Sequence, residues 1–82
     1  MSETKYMMGL VVEAIEYYGG EAKIIDISRY LWGKYENDFR AGGDLFYRWQ
    51  YVMRWAATKL RKQGILRASE STRSGIWSLT QK

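Results

Sequence analysis

The sequence predicts an α+β domain, mainly α, built from three helices and a C-terminal β-hairpin. Three observations predict it. Apolar residues recur at helical spacing in three stretches, about 4–18, 27–35 and 45–63. Glycines close the first and third of these, at Gly19-Gly20 and Gly64. Beyond Gly64 the spacing shortens to two apolar runs around a polar turn. The 82 residues form one domain, 1–82. A chain this short buries only about 60% of the surface its unfolded form exposes, so its core must be used efficiently.

The first helix is expected over about 4–18. Met7, Leu10, Val11, Ala14, Ile15 and Tyr18 follow the i, i+3, i+4, i+7, i+8, i+11 pattern of one face, and Ser2 or Thr4 can cap its start. Gly19-Gly20 ends it, because glycine readily takes the positive φ of a helix C-terminus. The segment 21–24 is too short for an independent strand but can pair at the edge of a later hairpin. Asp26 suits the N-cap of a second helix over about 27–35, with Ile27, Tyr30, Leu31 and Tyr35 on its apolar side and Trp32 off that stripe. Residues 36–43 read as a loop from their Asn, Asp and paired Gly, with Phe39 pinning it to the body. Asp44 can cap the longest helix, about 45–63, whose apolar stripe is Leu45, Trp49, Val52, Met53, Ala56 and Leu60. Gly64 ends it, with Arg61 and Lys62 well placed against the last carbonyls. Residues 65–68 and 76–79 then read as the strands of a hairpin with its tip at 69–75. Helix, short strand, helix, helix, hairpin is the element order of a winged helix-turn-helix.

Composition narrows the chemistry. With no Cys there is no disulfide framework or thiolate zinc site. With no His the commonest general base and metal ligand are missing. Glu13 and Glu16 share a helix turn and read as a solvated face; Glu36 and Asp38 read as solubilising loop acids. Ser69, Ser71 and Ser74 have no His or Cys partner, and Gly42-Gly43 lacks phosphate-loop spacing. The expectation is a protein that is not an enzyme and uses no cofactor or metal. No stretch reaches the roughly 18 apolar residues of a membrane span, and no secretory leader is visible, so a cytoplasmic protein with no membrane partner is expected.

The net charge of +4 hides a division. Residues 1–47 hold five basic and eight acidic residues, a net −3; residues 48–82 hold eight basic and one acidic, a net +7. A segregated basic half is the electrostatic footprint of a polyanion binder. At 100° per residue, Tyr47, Tyr51, Arg54, Thr58 and Arg61 fall opposite the apolar stripe of the third helix, flanked by Arg48 and Lys62, with no acid among them, and Lys59 joins the arginines and Lys62 as a docking cation. Arg can take guanine bidentately in a major groove, while Tyr and Thr reach phosphates or base edges. The hairpin tip adds Arg67 and Arg73 for the backbone or minor groove. Trp49 and Trp77 are expected in the core, and Trp55, at the edge of the outer face, is expected to pack.

The stretch Trp55-Ala56, Leu60, Gly64-Ile65-Leu66 and Gly75-Ile76-Trp77-Ser78-Leu79-Thr80 resembles the N-terminal domain of Mrr-type restriction proteins. In that family a Trp-Ala pair on the third helix is followed by Leu. A Gly-plus-apolar turn then leads into the hairpin, and a Gly-aromatic-apolar-Thr ending closes the wing. The resemblance covers about 54–80, and the first half only in element order. It implies a winged-helix DNA-binding domain, cytoplasmic and of bacterial, archaeal or phage origin, which in the family delivers a nuclease to DNA. The acid, Gln and Lys set of that nuclease is absent from these residues, so a stand-alone module, a transcriptional or restriction-related regulator, is expected. Where the family places an Arg three residues before the Trp, this chain has Val52, and Arg54 is the nearby base. The partner expected is double-stranded DNA, with helix 45–63 in the major groove and wing 69–75 on backbone or minor groove. A protein-interaction module, adaptor or inhibitor, using exposed aromatics is the alternative, homodimerisation is compatible with either, and RNA binding is a third option.

Overall fold

A computed structural model describes residues 3–68 and 74–80. Three helices carry most of the chain: α1 (Glu3–Tyr17), α2 (Ile24–Ala41) and α3 (Leu45–Lys62). Two short strands, β1 (Glu21–Lys23) and β2 (Ile76–Ser78), pair antiparallel, with Ala22 opposite Trp77. The result is a mainly helical α+β fold in the order α1-β1-α2-α3-β2.

The helix ends follow local chemistry. Gly20 N–H donates to the Ile15 carbonyl at 2.9 Å and Gly19 N–H to that of Glu16 at 3.0 Å. These two back-reaching bonds close a helix through left-handed glycine, and Gly19 has φ 90°. The end of α3 repeats them, with Ile65 N–H on the Leu60 carbonyl at 2.9 Å, Gly64 N–H on that of Arg61 at 3.0 Å, and Gly64 at φ 78°. Met7, Leu10, Val11, Ala14 and Ile15 are buried along α1 as their spacing predicts. Tyr18 departs from that stripe: it lies past the end of α1 and is exposed.

The start of α2 corrects the expected cap. β1 runs straight into the helix, so Lys23 occupies the N-cap position and Asp26 falls in the first turn. No side chain caps this end; the Ile24 N–H donates to the Gly75 carbonyl at 2.8 Å instead. The carboxylate of Asp26 still lies where the helix dipole favours it.

The expected loop at 36–43 is also corrected, since α2 continues to Ala41. The backbone leaves helical values at Tyr35 (φ −118°, ψ 15°) and then resumes. Phe39 explains why: it is fully buried and stacks on Trp49 with ring centroids 5.0 Å apart. Arg40 reaches back one turn to Glu36 at 2.7 Å, which suits a helix and not a loop. The connection shrinks to 42–44, and Asp44 takes a helical conformation with no side-chain cap bond. The backbone closes this turn, with Phe46 N–H on the Gly43 carbonyl at 3.1 Å and Tyr47 N–H on that of Asp44 at 3.0 Å. Trp32 finds its place here, stacked on Trp49 at 5.6 Å with the Arg40 guanidinium over its ring at 5.5 Å.

The first hairpin strand, expected over 65–68, is reduced to one bridge, Leu66 opposite Leu79. The back-reaching bond that ends α3 consumes the Ile65 N–H, so little chain is left to pair. Arg67 N–H still donates to the Ser78 carbonyl at 2.9 Å and Thr80 N–H to that of Ile65 at 3.0 Å. β2 therefore lies between β1 and this bridge, and Trp77 and Leu79 enter the core. Most of the expected tip, including Arg73, lies outside the described residues.

Candidate nucleic-acid interface

The core residues of α3 extend the predicted stripe by one, Ala57, and leave the opposite side to solvent. Tyr47 is 84% exposed and Tyr51 59%. Arg54, Lys59 and Lys62 are exposed and pair with no acid among the described residues. Thr58 is half-buried and its hydroxyl donates to the Arg54 carbonyl one turn earlier at 3.2 Å. The spacing thus brings Tyr47, Tyr51, Arg54, Lys59 and Lys62 onto one open surface of one helix.

Two of the expected cations are held elsewhere. The Arg48 guanidinium pairs with the Glu3 carboxylate of α1 at 2.8 Å, at the border between the two helices. Arg61 is half-buried, its guanidinium 5.9 Å from the ring centre of Trp77, and its Nε is buried with no hydrogen-bond partner. Arg67 is exposed beside β2, off the helical face.

Trp55 is a correction: it is 48% exposed and does not fill a core margin. Its ring meets that of Tyr51 edge-on at 6.2 Å. The signal was present in the sequence, since Tyr47, Tyr51 and Trp55 follow one another at i, i+4, i+8. Beside this face, α3, the start of α2 and the Gly75 end of β2 enclose an open groove of about 750 Å³. Lys23 and Arg54 both line it, and none of its described lining residues is acidic. Lys23 escapes a reading of α3 alone, because the β1–β2 pairing is what carries it there.

No protein-family model, curated protein or solved structure matches the chain. The reading of this face therefore rests on its own chemistry.

Of the carboxylates weighed for catalysis, Glu13 and Glu36 are held by Lys34 and Arg40. Glu13 is half-buried and does more than sit on a solvated face. It accepts from Lys34 Nζ at 2.7 Å, Tyr30 Oη at 2.8 Å and Tyr35 Oη at 2.5 Å, which ties α1 to α2. The hydrogen bond from the Lys34 ammonium, then that from Tyr35, lowers the Glu13 carboxyl to about 2. The same contact raises Lys34, and the bonds to Glu13 raise both phenols. Among the described residues no group of three or more His, Cys, Asp or Glu could hold a metal ion. No described helix is long and apolar enough to cross a membrane.

Proposed function

We propose that this chain is a winged-helix domain that binds double-stranded DNA through the outer face of α3. The observation that carries the reading is the acid-free face on which Arg54, Lys59 and Lys62 stand, unpaired among the described residues, beside Tyr47 and Tyr51. In a major groove these cations meet phosphates, and Tyr51, Arg54 and Thr58 are the candidates for limited base readout. The element order supports the winged-helix assignment, as does the position of β2 between β1 and the Leu66 bridge. The resemblance of 54–80 to the Mrr N-terminal domain points the same way, with transcriptional or restriction-related regulation as the setting.

The exposed Tyr51–Trp55 pair supports a second reading, an interface with a partner protein, because half-exposed Trp and Tyr are typical binding anchors. Charge reversal separates the two. Arg54→Glu with Lys62→Glu should weaken binding to a mixed-sequence duplex at least about a hundredfold, at about 1.4 kcal/mol per tenfold step. The thermal midpoint should barely move, because substitutions at exposed positions cost within about 0.5 kcal/mol. Wild-type protein that shifts no duplex at low salt would remove the DNA reading and leave the partner-protein one.

A further inference from the structure

The groove beside α3 has two chemically different ends. At one end Lys23 and Arg54 face it, with no acid among the described lining residues. At the other it opens into a second hollow of about 340 Å³ lined by Trp32, Trp49 and Arg29, whose guanidinium pairs with Asp26 at 3.8 Å. The two share Ile25, Ser28 and Gln50, so they adjoin along an open depression between α2 and α3. Gln50 is exposed, and its carboxamide has no hydrogen-bond partner among the described residues. Ser28 Oγ donates to the Ile24 carbonyl at 3.0 Å, which leaves it able to accept. Ile25 is 55% exposed on the rim. The first backbone amide of α2 is not free for a ligand, since the Ile24 N–H is already taken by Gly75.

We propose that this depression binds a nucleoside phosphate, with the phosphate between Lys23 and Arg54 and the base against Ile25 and the Trp32–Trp49 edge. A cationic end, a central carboxamide and an apolar end of Ile25 and indole edges match the phosphate, the polar edge and the body of the base of a nucleotide, the indole faces being taken by each other, Arg40 and Phe39. A simple anion would leave the apolar end unused, and an uncharged aromatic would leave Lys23 unused. The chemistry is shared by a free nucleotide and by the unpaired terminal nucleotide of a strand. It goes beyond duplex binding by the outer face, since Lys23 and Gln50 are not part of that face.

The test is a titration with 2′-deoxyadenosine 5′-monophosphate, followed at the amides of Ser28 and Gln50 and the indole N–H of Trp32 and Trp49. The nucleotide should shift all four groups, and inorganic phosphate or deoxyadenosine alone should bind at least about tenfold more weakly, the loss expected for one charge-assisted contact. Lys23→Gln and Gln50→Ala, both at exposed positions, should each weaken the nucleotide by about five- to tenfold and leave duplex binding intact. A 5′-phosphorylated octathymidylate that competes assigns the site to a strand end, and one that does not assigns it to a free nucleotide. Shifts confined to Tyr47 and Tyr51, or no nucleotide binding by a protein that still binds duplex, would overturn the inference alone. Failure of duplex binding with the nucleotide still bound would overturn the outer-face reading alone.

Discussion

Arg48 and Arg61 are both cations of α3, yet the fold uses them differently from Arg54. Arg48 is tied to Glu3, which lies 45 residues away in sequence, and Arg61 is laid over Trp77. Neither partner is visible from the periodicity of the helix, which places a side chain on a face but does not say what reaches it from elsewhere. Glu13 shows the same limit. Spacing assigns it to a polar face of α1, and only the packing of α2 supplies Tyr30, Tyr35 and Lys34 around it. That packing has a pH consequence. A carboxyl lowered in the folded state from its ordinary 4.5 to about 2 contributes stability above its unfolded value, and that stability is lost as pH falls through 4.5 toward 2. The thermal midpoint should therefore fall between about pH 5 and pH 2, and Glu13→Gln should flatten that part of the curve while lowering the midpoint at neutral pH. An unchanged acid limb in the variant would show that other groups govern it. At the alkaline end the sign reverses: Lys34 is raised, so its contribution is complete below 10.5 and is lost as pH climbs beyond it.

The elements that were legible are those whose signals are local. α1 and α3 announce themselves by apolar spacing, and the glycines that end them act through bonds within the last turn. The second half of α2 was not legible because its composition competes with its packing. Asn37, Asp38 and the glycine pair read as a break, but burying Phe39 against Trp49 outweighs those preferences and carries the helix to Ala41. The pairing of β1 with β2 was anticipated; the shrinkage of its neighbour to one bridge at Leu66 comes from the way α3 ends. Phe39→Ala tests the account of α2. Removing a fully buried ring that stacks between helices should cost about 3–5 kcal/mol in urea unfolding, with some loss of helical signal. A cost below about 1 kcal/mol would mean that the last turns of α2 contribute little to the folded core.

At the scale of the molecule, the charge division sets how strongly salt should act on DNA binding. The acidic half, net −3, supplies α1 and α2, and the basic half, net +7, supplies most of α3 and the chain beyond it. The sequence offered six cations for electrostatic docking: Arg48, Arg54, Lys59, Arg61, Lys62 and Arg73. About five phosphate contacts among them would give a log–log slope of about −4 to −5, at about −0.9 per neutralised phosphate. The fold withdraws Arg48 into an ion pair with Glu3 and Arg61 onto Trp77, leaving Arg54, Lys59 and Lys62, with Arg73, outside the described residues, as a fourth. The slope for a mixed-sequence duplex should therefore be about −3.6. Lys59→Ala should make it shallower by about 0.9, because an exposed unpaired lysine acts only through counterion release. Arg48→Ala should leave it unchanged, since its charge is already spent on Glu3. Filter-binding isotherms for the three proteins between low and moderate salt measure all of this directly. If Arg48→Ala changes the slope and Lys59→Ala does not, DNA lies along the border of α1 and α3, and the outer face of α3 is left to the aromatic stripe and a protein partner.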